Sequence, residues 1–110
     1  MFYKNNSNDY KEIIPGVKLK TLTYGDKTLL SEFRIGQGVS LPKHFHACEQ
    51  TGYLVSGSML LTIGEDTYEV SPGDSWSVLS NVEHSAAAVE DSILVEVFSP
   101  VREEYLPENM

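Results

Sequence analysis

The segment Gly38 to Gly57 reads GVSLPKHFHACEQTGYLVSG and holds two of the chain's three histidines, His44 and His46, one residue apart. On a strand, side chains at i and i+2 share a face, so both imidazoles can meet one ion. A third ligand further along the same straight strand lies too far away, because four residues span roughly 13 Å. The spacing therefore predicts a turn near Ala47-Cys48, after which Glu49 or Gln50 swings back beside the pair and His84 arrives from a partner strand. Period does not choose between Glu49 and Gln50, since both faces of a strand over 50–56 carry apolar residues. Each piece has a plainer explanation. A His-x-His pair is more often solvent-facing polarity, and a lone histidine after a turn usually makes one backbone hydrogen bond. Only the combination weighs towards a site. Imidazole with an oxygen donor suits one divalent transition metal ion, whether Zn, Ni, Fe, Co or Mn. Cys48 could add a thiolate, but free cysteines usually pack as small apolar groups.

Outward from this segment the chain is a succession of short strands. No window keeps apolar residues at i, i+3, i+4 and i+7 for three turns, so helices are not expected. Strands are expected over Val17–Tyr24, Thr28–Ile35, Leu41–His46, Gln50–Ser56, Ser58–Ile63, Thr67–Val70, Ser75–Leu79, Ser85–Val89 and Ile93–Phe98. Ser58–Ile63 alternates most cleanly, with Met59, Leu61 and Ile63 on one face. Turn signals separate them: Gly25-Asp26, Gly36-Gln37-Gly38, Gly64-Glu65-Asp66, Pro72-Gly73-Asp74, Ser80-Asn81 and Glu90-Asp91. Many short strands at near-regular spacing indicate an all-β closed barrel or sandwich. Residues 1–12, rich in Asn and charge, read as an arm ordered only against something else. Residues 99–110, with Pro100 and Pro107, read as an extended C-terminal strap.

The 110 residues suit one domain over 1–110. The single cysteine excludes an internal disulfide, and the opening MFYKNNSNDYKEIIPG lacks the basic start and apolar run of a secretory signal. A cytoplasmic location is expected. No apolar stretch approaches the roughly 20 residues that span a bilayer, so no membrane partner is expected. A net charge of −8 argues against nucleic acid, because phosphate binding relies on clustered Lys and Arg. An anionic small molecule needs local positive charge.

Two spaced motifs resemble those of the cupins. Gly38-x5-His44-x-His46-x3-Gln50-x6-Gly57 follows the first cupin motif, and Gly73-x5-Leu79-x-Asn81-x2-His84 follows the second. The departures are Gln50 where many cupins have Glu, Leu79 for Pro, Asn81 for Gly and Ala88 for Asn. Asn81 is a mild change, since Asn tolerates the left-handed conformation that Gly supplies. The resemblance implies a jelly-roll β-barrel, often a homodimer, with its ion held by His44, His46, Gln50 and His84 inside the mouth. Three imidazoles and an amide are all neutral, so the ion would keep its full charge and act as a stronger Lewis acid.

Nearly end to end, the chain is most similar to single-domain cupins that act late in pectin and alginate breakdown, opening 4,5-unsaturated uronates into linear keto sugars. The similarity is carried by His-x-His-x3-Gln, Tyr53-Leu54-Val55-Ser56-Gly57, Pro72-Gly73-Asp74-Ser75-Trp76 and the ending Glu96 to Leu106. In that family an acid, an aromatic and an arginine at the spacing of Glu96, Phe98 and Arg102 line the substrate pocket. The family's acid is Asp, where this chain has Glu96. Glu96 and Phe98 share one strand face, and a carboxylate facing into a barrel is costly unless paired or functional. The alternative turns Glu96 outward with Leu94 and Phe98 at a dimer surface. Arg102 could clamp a uronate carboxylate with its planar fork, or pair at the surface with Glu103 or Glu104. Trp76 and Tyr53 could stack on a sugar or pack as core. The resemblance thus implies a metal-assisted enzyme acting on a sugar acid through Glu96 and Arg102. An oxygen-using metal cupin and a non-catalytic ligand-binding cupin are the rival expectations.

Overall fold

Period-2 alternation sets most strands, and the turn residues end them. The computed structural model describes residues 1–110. Its strands are β1 (Lys11–Ile14), β2 (Val17–Tyr24), β3 (Leu29–Ile35), β4 (Ser40–His44), β5 (Glu49–Ser56), β6 (Met59–Ile63), β7 (Asp66–Val70), β8 (Ser75–Val78), β9 (His84–Ala88) and β10 (Ser92–Ser99). They form two antiparallel sheets, one running β1-β2-β3-β10-β5-β8 and the other β4-β9-β6-β7. The all-β expectation holds, and no helix is long and apolar enough to cross a membrane.

The inner face of the larger sheet carries Leu29, Ser31, Phe33 and Ile35 of β3, Gln50, Gly52 and Leu54 of β5, and Ser92, Leu94, Glu96 and Phe98 of β10. Opposite them, Met59, Leu61 and Ala88 of the smaller sheet close one apolar core. Fully burying a Leu, Met or Phe side chain contributes roughly 1.5–3 kcal/mol, so this layer is the main stabilising element. The register excludes the alternative with Leu94, Glu96 and Phe98 on an outer surface. Glu96 pairs with Ser31 on one side and Gly52 on the other, and both are buried.

Gly57 closes the hairpin between β5 and β6 with φ 98°, where a side chain would be strained and would meet Asp91 and Ser92.

Three expectations need correction. β4 stops at His44 instead of running to His46. It is an edge strand containing Pro42, and its pairing with β9 slips between Leu41 and His44, so the chain leaves the sheet early. The predicted bend at Ala47-Cys48 then follows. Second, the arm is less free than its composition suggests. From Lys11 it adds β1 to the sheet, and upstream the Lys20 ammonium donates to the Asn6 carbonyl and side-chain oxygens at 2.7 and 2.9 Å. The Tyr10 hydroxyl donates to Glu32. Third, the strap is not extended throughout, because Glu103–Tyr105 and Pro107–Asn109 form 3-10 turns.

Candidate active site

β4 and β9 are neighbours, and their register sets His84 directly opposite His44. His46 comes from the bend after β4. The Asn81 backbone N–H donates to the His46 carbonyl at 2.8 Å, which ties the turn before His84 to that bend. Asn81 has φ 62°, the conformation anticipated for it. The ring centroids lie 5.7 Å apart for His44 and His46, 4.2 Å for His44 and His84, and 4.9 Å for His46 and His84. One nitrogen from each ring lies within 4.8 Å of the others.

The protons on these rings follow from their partners. Each Nδ1 faces a main-chain carbonyl: Pro42 at 2.8 Å for His44, Cys48 at 2.8 Å for His46 and Val82 at 2.9 Å for His84. A carbonyl only accepts, so each Nδ1 carries the proton and each Nε2 keeps its lone pair. The Nε2 atoms of His46 and His84 are buried and have no hydrogen-bond partner. A buried acceptor without a donor costs free energy, and imidazoles fixed through Nδ1 with converging Nε2 atoms can hold a cation. Burial, above all, lowers the His84 pKa to about 4, against the pull of the Val82 carbonyl. Burial and then the Arg102 charge lower that of His46, while the Cys48 carbonyl and the nearby Gln50 amide pull the other way. Both shifts favour the neutral ring, the form that binds metal.

On β5, Gln50 faces inward and is 5% exposed, whereas Glu49 faces solvent. Of those two rivals, Gln50 alone reaches the cavity. Its amide Nε2 donates to Glu96 Oε2, which turns the amide oxygen away from that carboxylate. Glu96 is 7% exposed. Burial pushes its pKa up to about 7, opposed by hydrogen bonds from Trp76 and Gln50 and by the Arg102 charge. Trp76 Nε1 donates to the same Oε2 at 3.4 Å. Phe98 lies edge-on to His46, with centroids 5.9 Å apart.

Arg102 meets one of the two expectations stated for it, the pairing with Glu104, and also lines the cavity. Its side chain is 16% exposed and pairs with Glu104 at 2.5 Å, while its guanidinium sits 4.3 Å over the Tyr105 ring and 5.2 Å over Phe98. The strap thus lays a cation across the mouth of a cavity lined by His44, Gln50, His84, Glu96, Phe98, Trp76 and Tyr105, among others. The cavity measures about 50 Å³, room for a few waters.

Sequence reasoning gave Trp76 no defined partner and passed over Tyr105 and Ile13, which also line the cavity. The signal for Tyr105 was an aromatic residue three positions after Arg102. Tyr53 is exposed on the outer face and lines no part of the cavity. Cys48 packs against the core, and burial raises its thiol pKa.

A family model described as "Cupin domain" matches residues 31–99. The chain is 24% identical over 107 residues to the pectin degradation protein KdgF of Dickeya dadantii (strain 3937), covering 96% of this chain and 97% of that one. The solved structure of KdgF from Halomonas sp. matches with a TM-score of 0.91 and 27% identity, covering 96% of this chain and 100% of the other. An RmlC-like cupin from Shewanella frigidimarina NCIMB 400 matches with a TM-score of 0.90 and 25% identity, covering 96% and 95%.

Proposed function

The chain belongs to the cupin domain family, and on that premise we propose that it is a metal-dependent enzyme that opens 4,5-unsaturated uronates into linear keto sugars. His44, His46, His84 and Gln50 are the residues that would hold one divalent transition metal ion. When bound, the ion supplies Lewis-acid polarisation of a sugar oxygen. The observation that carries the reading is the meeting, at one cavity, of the orphaned His84 nitrogen, with His46 packed beside it, a buried carboxyl and a single cation. The pectin degradation protein of Dickeya dadantii, similar along nearly the whole chain, supports the substrate class.

Each residue has a distinct task. Arg102 grips the uronate carboxylate, exchanging its exposed partner Glu104 for the substrate. Glu96 holds or moves a proton during ring opening and tautomerisation, and with a pKa of about 7 it is present in both forms near neutrality. Phe98 and Tyr105 flank the guanidinium and keep water from the sugar. The reading takes residues 1–110 as one cupin domain, acting in the cytoplasm as a homodimer on a small molecule.

Steady-state kinetics on an unsaturated uronate test these roles. Glu96→Gln should lower kcat by about tenfold or more with bound metal unchanged, and Glu96→Asp should retain activity. Arg102→Lys keeps the charge but loses the fork, so KM should rise by about tenfold, again with metal unchanged. Wild-type kcat in Glu96→Gln would remove that residue from the chemistry.

A further inference from the structure

Trp76 is the chain's single tryptophan, and its place in the sheet is unusual. Glu96 of β10 pairs directly with Gly52 of β5, and Gly52 pairs directly with Trp76 of β8. Directly opposed residues in antiparallel strands share a face, so the three form one inward row. Neighbouring strands lie about 4.8 Å apart, so Trp76 and Glu96, two strands apart, are separated by roughly 10 Å of backbone. Their side chains meet only if one crosses the residue between. The indole does so, and its Nε1 reaches Glu96 Oε2.

Gly52 is what permits the crossing. Its φ is not in the left-handed region, so no backbone requirement selects glycine there. Space does: a Cβ at this position would overlap Cε2, Nε1 and Cζ2 of the Trp76 indole. The two donors on Glu96, the Gln50 amide and the Trp76 indole, both bind Oε2, and Oε1 accepts no hydrogen bond from the protein. We propose that Gly52 and Trp76 are a positioning pair that aims Glu96: the gap at Gly52 lets the indole lie across β5, where its N–H and the Gln50 amide anchor Oε2 and leave Oε1 to exchange protons with substrate. This rests on the reading above, in which Glu96 moves a proton. Trp76 touches Glu96 and acts on substrate through it.

One tryptophan gives one indole cross-peak in a proton–nitrogen correlation spectrum, which makes the pair observable without turnover. In zinc-loaded protein, a diamagnetic form, the indole proton of wild type should be downfield and protected from exchange. Glu96→Leu and Gly52→Ala should each move it upfield while the backbone pattern persists. In kinetics, Trp76→Phe keeps the ring but loses the donor, so kcat should fall about tenfold, as for loss of a hydrogen bond to a charged group. KM and metal content should stay within twofold. An indole peak unmoved by Glu96→Leu, or wild-type kcat in Trp76→Phe, overturns the proposal. If Gly52→Ala does not fold, the Trp76→Phe and Glu96→Leu results still decide. A wild type inactive on uronates removes the substrate reading alone, because the cross-peak is read without substrate.

Discussion

His84 shows how much single positions carry. Its Nε2 is buried, unpaired and opposite His44, so it completes a ligand set that two residues cannot. His84→Ala should release most of the metal while the barrel stays folded, checked by elemental analysis and circular dichroism; stoichiometric metal in the variant would remove His84 from the site. Glu96 supports a prediction with a defined sign. Its folded pKa of about 7 lies above the ordinary 4.5. Relative to Glu96→Gln, the metal-free protein should therefore have its full Glu96 contribution below pH 4.5 and lose it as pH rises through 7. Urea unfolding of both proteins across that window measures the difference, and a constant difference would contradict the burial argument. His44 and His46 were readable in the sequence from their i, i+2 spacing, and His84 from its place in the second cupin motif. The partners of Glu96 were not, since Gln50, Gly52 and Trp76 meet it through cross-strand register, which sequence distance does not encode.

Among the elements, the strap has the most specific role. Tyr105 packs edge-on to Phe33 and Phe98, with centroids 6.1 and 5.5 Å apart, and its carbonyl accepts from the Thr21 hydroxyl. These contacts hold the turn that presents Arg102. Tyr105→Ala should cost about 3 kcal/mol in urea unfolding, as for other large aromatic truncations, and should raise KM because Arg102 loses the ring beneath it. Unchanged stability and KM would make the strap a bystander. Strand existence was largely readable from alternation, β6 above all. The ends were less so: Pro42 on an edge strand stopped β4 two residues early, and polar composition hid β1, whose stability comes from pairing with β2.

For the whole molecule, the barrel-or-sandwich architecture followed from strand count and turn spacing, whereas strand period left Gln50 and Glu49 open, the cupin motif implied Gln50, and the assembled sheet turns Gln50 inward. The outer face of the larger sheet bears on assembly. Tyr53 and Val55 are exposed there, and beside them lie the half-buried Val95 and Val97 of β10. An apolar patch of this kind is suited to self-association about a two-fold axis. Sedimentation at micromolar concentration should give two chains, and Tyr53→Glu should give one; a monomeric wild type would contradict the homodimer. The central claim is that the three histidines, Gln50, Glu96 and Arg102 form one metal-assisted uronate-opening site. The direct measurement is the ultraviolet absorbance of the double bond of a 4,5-unsaturated uronate, followed with protein loaded in turn with Zn, Ni, Fe, Co and Mn. Steady loss of that absorbance with at least one metal, abolished in His84→Ala, is the expected result. No loss with any of them would contradict the claim, with oxygen uptake by the iron form then favouring an oxygen-using cupin and binding without turnover a ligand-binding one.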